Sequence, residues 1–299
     1  METRRLGPTD LEVTRLGAGL FEISTLDSDA GAAALLHAAL DGGITFLDTA
    51  ACYGDSEQKV GKAVSGRRDS FVLASKCGHE AGDANAGEWT AATITASVDQ
   101  SLRRLKTDHL DLLQLHSCSR KVLERGEALQ AMEQAQRAGK TRYIGYSGDN
   151  EAAMWAVRSG SFQTLQTSYN VVEQRARTSG LLQAARAAGM GVIAKRPIAN
   201  GSFGAAESPL AYADTYFGRG RKVMEHGDLP AGPTDRIELS LAFTLDRPEI
   251  DTAIVGTRNP AHMRANIALV DRGLGLSEEL TAELHRRFEL LDDDWFQQT

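Results

Sequence analysis

Three apolar runs in the first half of the chain each end in a group able to hold or move a proton. Phe46-Leu47 leads into Asp48-Thr49-Ala50-Ala51-Cys52-Tyr53-Gly54, Leu73-Ala74-Ser75 leads into Lys76, and Leu113-Gln114-Leu115 leads into His116. A carboxylate, a phenol, an ammonium and an imidazole suit the reduction of a carbonyl group. Hydride delivered to the carbonyl carbon leaves an alkoxide that must be protonated as it forms. Tyr53 is the candidate donor. A phenol with a pKa of about 10 is a sluggish acid, and a neighbouring ammonium brings that value down by stabilising the phenolate. Lys76 would supply the ammonium, Asp48 would hold it through a charge-assisted hydrogen bond, and His116 would offer the carbonyl oxygen a second donor. Taken singly, each residue has a plainer role as helix cap, loop packing, solvated strand tip or hydrogen-bonded scaffold. Their succession at the ends of three consecutive apolar runs favours chemistry.

The elements that must position them follow a repeating pattern. From residue 30 onward, stretches rich in Ala, Leu and Arg alternate with short apolar runs, as in βαβ units with parallel strands. The strand candidates are Thr14–Gly19, Ile44–Leu47, Phe71–Ser75, Leu110–Leu115, Tyr143–Tyr146, Thr164–Thr167, Gly191–Ala194 and Thr252–Val255. Helices are expected over Ala30–Asp41, Ala91–Lys106, Lys121–Gly139 and Ser179–Ala188, with Gly139 and Gly189 as C-caps. One repeating unit with eight strands predicts a closed (β/α)8 TIM barrel, whose reactive groups sit beyond the C-terminal ends of the strands. Gly7-Pro8-Thr9-Asp10 marks an N-terminal β-hairpin that caps one barrel end. Residues 198–235 form a long connection at the C-terminal face, and residues 291–299 an acidic and aromatic tail. No linker divides the chain, so residues 1–299 are expected to form a single domain.

Composition narrows the partners. With 33 Lys and Arg against 40 Asp and Glu, the formal net charge is -7, which argues against binding a nucleic-acid backbone. A 42% hydrophobic and 24% charged composition provides for a packed core. No run approaches the roughly eighteen apolar residues that span a bilayer, and Met1 to Arg5 lacks an apolar signal core. A cytoplasmic protein with a small-molecule substrate and no membrane partner is expected; the oligomeric state is not legible. Cys52, Cys77 and Cys118 are an odd set, far apart in sequence, and are expected to be reduced.

Other motifs are weaker. Gly17-Ala18-Gly19 begins a dinucleotide glycine pattern that fails at Glu22, and Gly139-Lys140-Thr141 lacks the leading glycine of a P-loop, with Gln134 in its place. Cys77, His79, His116 and Cys118 are a conceivable zinc set for a metal hydrolase, but that reading uses His116 twice. The preferred site contains no metal.

The order of motifs resembles the aldo-keto reductase family over nearly the whole length. The matching residues are Arg5-Leu6-Gly7 through Leu16-Gly17, Leu47-Asp48-Thr49-Ala50 with Tyr53-Gly54, Ser75-Lys76, Leu115-His116, Gly145-Tyr146-Ser147, Gln166 with Tyr169-Asn170, and Ile254 to Pro260 with Asn266. The resemblance implies a (β/α)8 barrel, reversible reduction of aldehydes or ketones with NADPH, NADH being possible, and no metal. It implies that Ser147 and Gln166 bind the nicotinamide amide, with Asp48 and Thr49 on its other side. Gly256, Thr257 and Arg258 would take the adenosine phosphate and Asn266 the adenine, a sensible anion site at a helix N-terminus. The chain departs from the family pattern at Gly148, where Asn is usual, and at His262, where many NADPH-dependent members carry Arg. It departs again at Lys195-Arg196-Pro197-Ile198, where a Tyr that stacks on the nicotinamide is often found; these four residues are expected at the cofactor. Phe21, Trp89 and the tail residue Trp295 are expected to line the substrate pocket, although the substrate itself is not named by the sequence. The alternative is a nucleotide-binding regulatory or accessory barrel with slow turnover.

Overall fold

The computed structural model describes residues 1–80 and 87–292. Strands β1 (Thr3–Arg5) and β2 (Glu12–Thr14) form an antiparallel hairpin. Eight further strands, β3 (Leu16–Gly19), β4 (Phe46–Asp48), β5 (Val72–Cys77), β6 (Leu110–His116), β7 (Thr141–Ser147), β8 (Thr164–Ser168), β9 (Gly191–Lys195) and β10 (Thr252–Gly256), pair in parallel and in chain order. The barrel closes where β10 pairs with β3.

The period-two alternation of each strand decides what faces inward. Phe46, Ala74, Leu112, Ile193 and Ile254 pack with hairpin residues Leu6, Leu11 and Val13 into a small core inside the barrel. The hairpin therefore plugs one end. Two residues further along the same strands the inward positions become Asp48, Lys76, Gln114, Lys195 and Gly256, so the barrel changes from apolar to polar towards its C-terminal mouth. The opposite parity, including Leu47, Leu73, Leu113, Leu115, Leu165, Val192 and Val255, packs outward against the helices in the main core.

Several elements differ from expectation. The run Thr14–Gly19 is broken at Arg15, whose buried guanidinium donates to the carbonyl groups of Leu245, Ile250 and Asp251, so Thr14 belongs to the hairpin and Leu16 opens the barrel. The expected helix Lys121–Gly139 is two helices, Arg120–Arg125 and Glu127–Arg137, because Gly126 between them has φ +74°. The connection 198–235 is not a plain loop: it contains the helix Asp214–Glu225, on which Tyr216 is fully buried. Trp295 and Phe296 lie outside the described residues. Among the described residues no helix is long and apolar enough to cross a membrane.

Helix Ser56–Val64 follows directly after Tyr53 and fixes its loop. Ser56 Oγ donates to the Leu20 carbonyl and lies 2.9 Å from Thr49 Oγ1. The buried Glu57 carboxylate accepts from Ser75 Oγ at 2.7 Å and pairs with Arg104 at 3.4 Å. Gly61 lets this helix approach helix Ala91–Leu105 closely, since a Cβ there would lie 2.1 Å from the Arg104 carbonyl oxygen. Gly61→Ala gains up to about 1 kcal/mol of helix propensity but overpacks a backbone contact at a cost of about 1–3 kcal/mol. Net destabilisation of about 1–2 kcal/mol is expected from urea unfolding; an unchanged or raised midpoint would show that the helices separate freely.

Candidate active site

At the C-terminal mouth, Asp48 at the end of β4, Lys76 in β5, His116 at the end of β6 and Tyr53 in the loop after β4 converge. Asp48 and Lys76 are each 2% exposed. Lys76 Nζ donates to Asp48 Oδ2 at 2.5 Å and to the Thr49 carbonyl at 2.9 Å, and it lies 4.9 Å from the centre of the Tyr53 ring. The other Asp48 oxygen accepts from Gln114 Nε2 at 2.8 Å and from Gln166 Nε2 at 3.0 Å. Gln166 Oε1 accepts from Ser147 Oγ at 2.8 Å. The His116 ring stands edge-on to Tyr53 with centroids 5.7 Å apart.

The electrostatics follow from this packing. Burial works against the Lys76 charge, but Asp48 and Tyr53 outweigh it and hold the ammonium above its ordinary pKa. Burial raises the Tyr53 phenol; Lys76 pulls it down as expected but does not overcome burial, so the net shift is upward and the expected lowering is corrected. Burial, reinforced by Lys76, His79, Lys195 and Arg196, pushes His116 well below its ordinary value, so its imidazole is neutral near pH 7. His116 Nδ1 lies 3.5 Å from Cys52 Sγ, and burial pushes the Cys52 thiol up, keeping it an S–H donor. A thiol that donates to Nδ1 goes with the tautomer whose ring proton is on Nε2. Trp89, at φ +56°, donates its indole N–H to the His116 carbonyl at 2.8 Å.

These groups open on a cavity of about 1120 Å³. Asp48, Tyr53, His116, Ser147, Gln166, Lys195, Arg196, Pro197, Ile198, Gly256, Thr257, Arg258 and Asn266 all line it, as does Phe21. Thr49 does not: its hydroxyl is turned back to Ser56. Trp89 is not at the cavity surface either, because His79 stands in front of it with ring centroids 5.1 Å apart. His79, Cys52, Glu22 and Tyr212 are lining residues that sequence reasoning did not place at the site. The zinc alternative is not supported by geometry. His79 and His116 open on the cavity whereas Cys77 and Cys118 are buried in the main core, and among the described residues no three His, Cys, Asp or Glu side chains converge as ligands. All three cysteines are free thiols.

The Aldo/keto reductase family model matches residues 15–285. The chain belongs to the aldo/keto reductase family. An oxidoreductase of Bacillus subtilis, YrpG, is 30% identical and covers 96% of each chain. The L-galactose dehydrogenase of Arabidopsis thaliana is 25% identical over 97% of this chain and 95% of its own length. An aldo-keto reductase from Bacillus halodurans, solved in its holo form, superposes with a TM-score of 0.82 at 27% identity, covering 96% of both chains.

Within this aldo/keto reductase the departure at Lys195 has a partner. Lys195 Nζ lies 3.0 Å from Asp149 Oδ2, and both side chains are buried or nearly so. Asp149 also accepts from Thr167 Oγ1 and Ser168 N, each at 2.7 Å. Burial disfavours the Asp149 charge, yet Lys195 and Arg196 hold its carboxyl below the usual range; burial lowers Lys195 against the pull of Asp149. Lys195 is therefore neither unpaired nor turned to solvent. The signal for Asp149 was available: an inward-facing lysine on a barrel strand requires a counter-charge, and Asp149 follows β7, two strands away from β9 in the barrel. Lys195→Met would remove the ammonium that pairs directly with a buried carboxylate, leaving Arg196 as the nearby cation, and should cost up to about 3–5 kcal/mol. Adding Asp149→Asn should recover most of that loss in thermal unfolding, and a double variant as unstable as the single one would show that the pair is not coupled.

Proposed function

We propose that this chain reduces an aldehyde or ketone to an alcohol with a nicotinamide cofactor, NADPH in preference to NADH. The observation that carries this reading is the buried Lys76 ammonium, held by Asp48 and set against the Tyr53 ring, beside a cavity that continues to the Gly256–Asn266 segment. The residues present fit a dinucleotide. Ser147 and Gln166 offer a hydroxyl and a carboxamide side by side, suited to a nicotinamide amide. Gly256, Thr257 and Arg258 precede helix Pro260–Asp271, whose N-terminus suits a phosphate, and Asn266 on that helix faces the same cavity. Lys195 and Arg196 add positive charge between the two ends, with Pro197 and Ile198 as apolar wall.

A bound reduced nicotinamide supplies the hydride. The chain's own residues do the rest. The neutral His116 keeps its proton and offers a hydrogen bond from Nε2–H to the carbonyl oxygen, polarising it. Tyr53, a phenol protonated at neutral pH and held above its ordinary pKa by burial, gives its proton to the forming alkoxide. Lys76 stabilises the phenolate that remains, and Asp48 keeps Lys76 charged and in place. Phe21 lies 5.1 Å from Tyr53, ring to ring, and walls the substrate side. The relative named for L-galactose supports including hydroxylated carbonyl compounds among the substrates.

Tyr53→Phe removes only a hydroxyl, so turnover should fall by roughly 10²-fold or more while cofactor affinity survives. In the oxidative direction the phenolate is the active form. Lys76→Met removes the cation that pulls the phenol pKa down, so the rise of alcohol oxidation with pH should move to higher pH. Steady-state rates across pH check both, and retained turnover in Tyr53→Phe would overturn the assignment.

Cofactor choice rests on opposed charges. Arg258 and Thr257 favour a 2'-phosphate, whereas the Glu22 carboxylate sits so close to Gly256 that a Cβ there would be 2.0 Å from it. Burial raises the Glu22 pKa, against the bond from Tyr212 and the charge of Arg258. Arg258→Ala should raise KM for NADPH about tenfold or more, the scale of one charge-assisted hydrogen bond, and change KM for NADH far less. Glu22→Gln should shift the ratio of the two constants the other way. Equal changes for both cofactors would place these residues at the shared part of the dinucleotide.

A further inference from the structure

His79 and Glu88 form a pair beside the carbonyl site that the proton-transfer chemistry does not use. His79 Nδ1 is 2.8 Å from Glu88 Oε1, and the His79 ring lies on the cavity wall 5.0 Å from the ring of His116. A carboxylate only accepts, so His79 Nδ1 must be the donor and a neutral His79 has its lone pair on Nε2. Nε2 has no hydrogen-bond partner among the described residues. The charged groups around this corner include the cations Lys76, Lys195 and Arg196 on the His116 side and Glu88 behind His79.

The two imidazoles thus present opposite hydrogen-bonding characters at neighbouring positions. His116, with Nδ1 against the Cys52 thiol, donates from Nε2; His79, with Nδ1 against Glu88, accepts at Nε2. We infer that His79, oriented by Glu88, is a subsite for the hydroxyl on the carbon next to the carbonyl, and that the preferred substrates are α-hydroxy aldehydes or ketones. Two oxygens on adjacent carbons are spaced to meet two neighbouring rings, one as acceptor from His116 and the other as donor to His79. The inference rests on carbonyl reduction by Tyr53 and deepens it by naming the substrate class. A site built to bond a hydroxyl discriminates strongly against the analogue that lacks it, because its own polar group is then left unpaired.

The test compares glycolaldehyde and lactaldehyde with acetaldehyde and propionaldehyde, reading the ratio of kcat/KM within each enzyme so that general losses of activity cancel. The wild-type ratio should favour the hydroxy aldehydes by about tenfold or more, and His79→Phe should bring it near unity. His79→Gln, which keeps an acceptor at the position, should restore part of the preference. Glu88→Ala, which frees the ring proton to move between nitrogens, should reduce the ratio without changing affinity for the cofactor measured by fluorescence titration. A wild-type ratio near unity, or a His79→Phe ratio equal to that of the wild type, overturns the subsite while leaving the carbonyl-reduction reading intact. Failure to reduce any of the four aldehydes with either cofactor overturns both.

Discussion

The arrangement at the barrel mouth depends on one buried ion pair, Asp48 with Lys76. Neither charge is stable out of water alone, and loss of one partner from such a pair typically costs about 3–5 kcal/mol. Both charges are therefore supplied with hydrogen-bond partners, from four different strands and a loop: Asp48 accepts from Lys76, Gln114 and Gln166, Lys76 also donates to the Thr49 carbonyl, and Ser147 extends the chain of bonds through Gln166. The groups assigned here to proton transfer and those assigned to the nicotinamide are thus a single hydrogen-bonded unit. A displacement of Gln166 would be felt at Lys76, and through it at Tyr53.

The same burial bears on the proton transfer proposed for Tyr53. Lys76 acts to lower the Tyr53 pKa and burial acts to raise it, with burial ahead. For reduction this is favourable, because the phenol must arrive protonated and need only be stabilised as its proton leaves. For oxidation it is a handicap, because the phenolate must be present at the start. His116 fits the same direction: as a neutral ring it can donate without adding a further positive charge to a mouth that already holds Lys76, Lys195 and Arg196.

Much of this was legible because strand periodicity is rigid. Once Phe46, Ala74 and Leu112 are taken as inward, Asp48, Lys76 and Gln114 follow at the next inward positions, and His116 one step beyond. What was not legible depended on single residues acting against pattern. Arg15 breaks a run that otherwise reads as one strand by satisfying three distant carbonyls, and Gly126 breaks a continuous helical pattern by adopting a positive φ. Trp89 reads in the sequence as a pocket wall because aromatics fill both pockets and cores; the structure turns its indole back to the His116 carbonyl and leaves His79 at the cavity surface. Such choices are made by contacts between residues remote in sequence, which hydropathy does not encode.

The departures from the family pattern at Gly148 and Lys195 also turn out to be one rearrangement. Tyr146 is buried and donates its hydroxyl to the Cys118 carbonyl at 2.8 Å, which brings its ring edge over residue 148; a Cβ there would meet the Tyr146 oxygen at 2.5 Å. A larger residue at 148 would have to displace that ring from the main core. With glycine in place, the chain continues directly to Asp149, whose carboxylate is drawn inward to Thr167, Ser168 and Lys195. The lysine in turn requires that carboxylate, since a buried ammonium without a counter-charge would be costly or would shed its proton. A tyrosine at 195 would leave Asp149 without the ammonium it pairs with directly. The position that has glycine at 148 and the position that has lysine at 195 are therefore coupled through Asp149, and this side of the cavity, the one proposed for the nicotinamide, is built on an ion pair instead of an aromatic face.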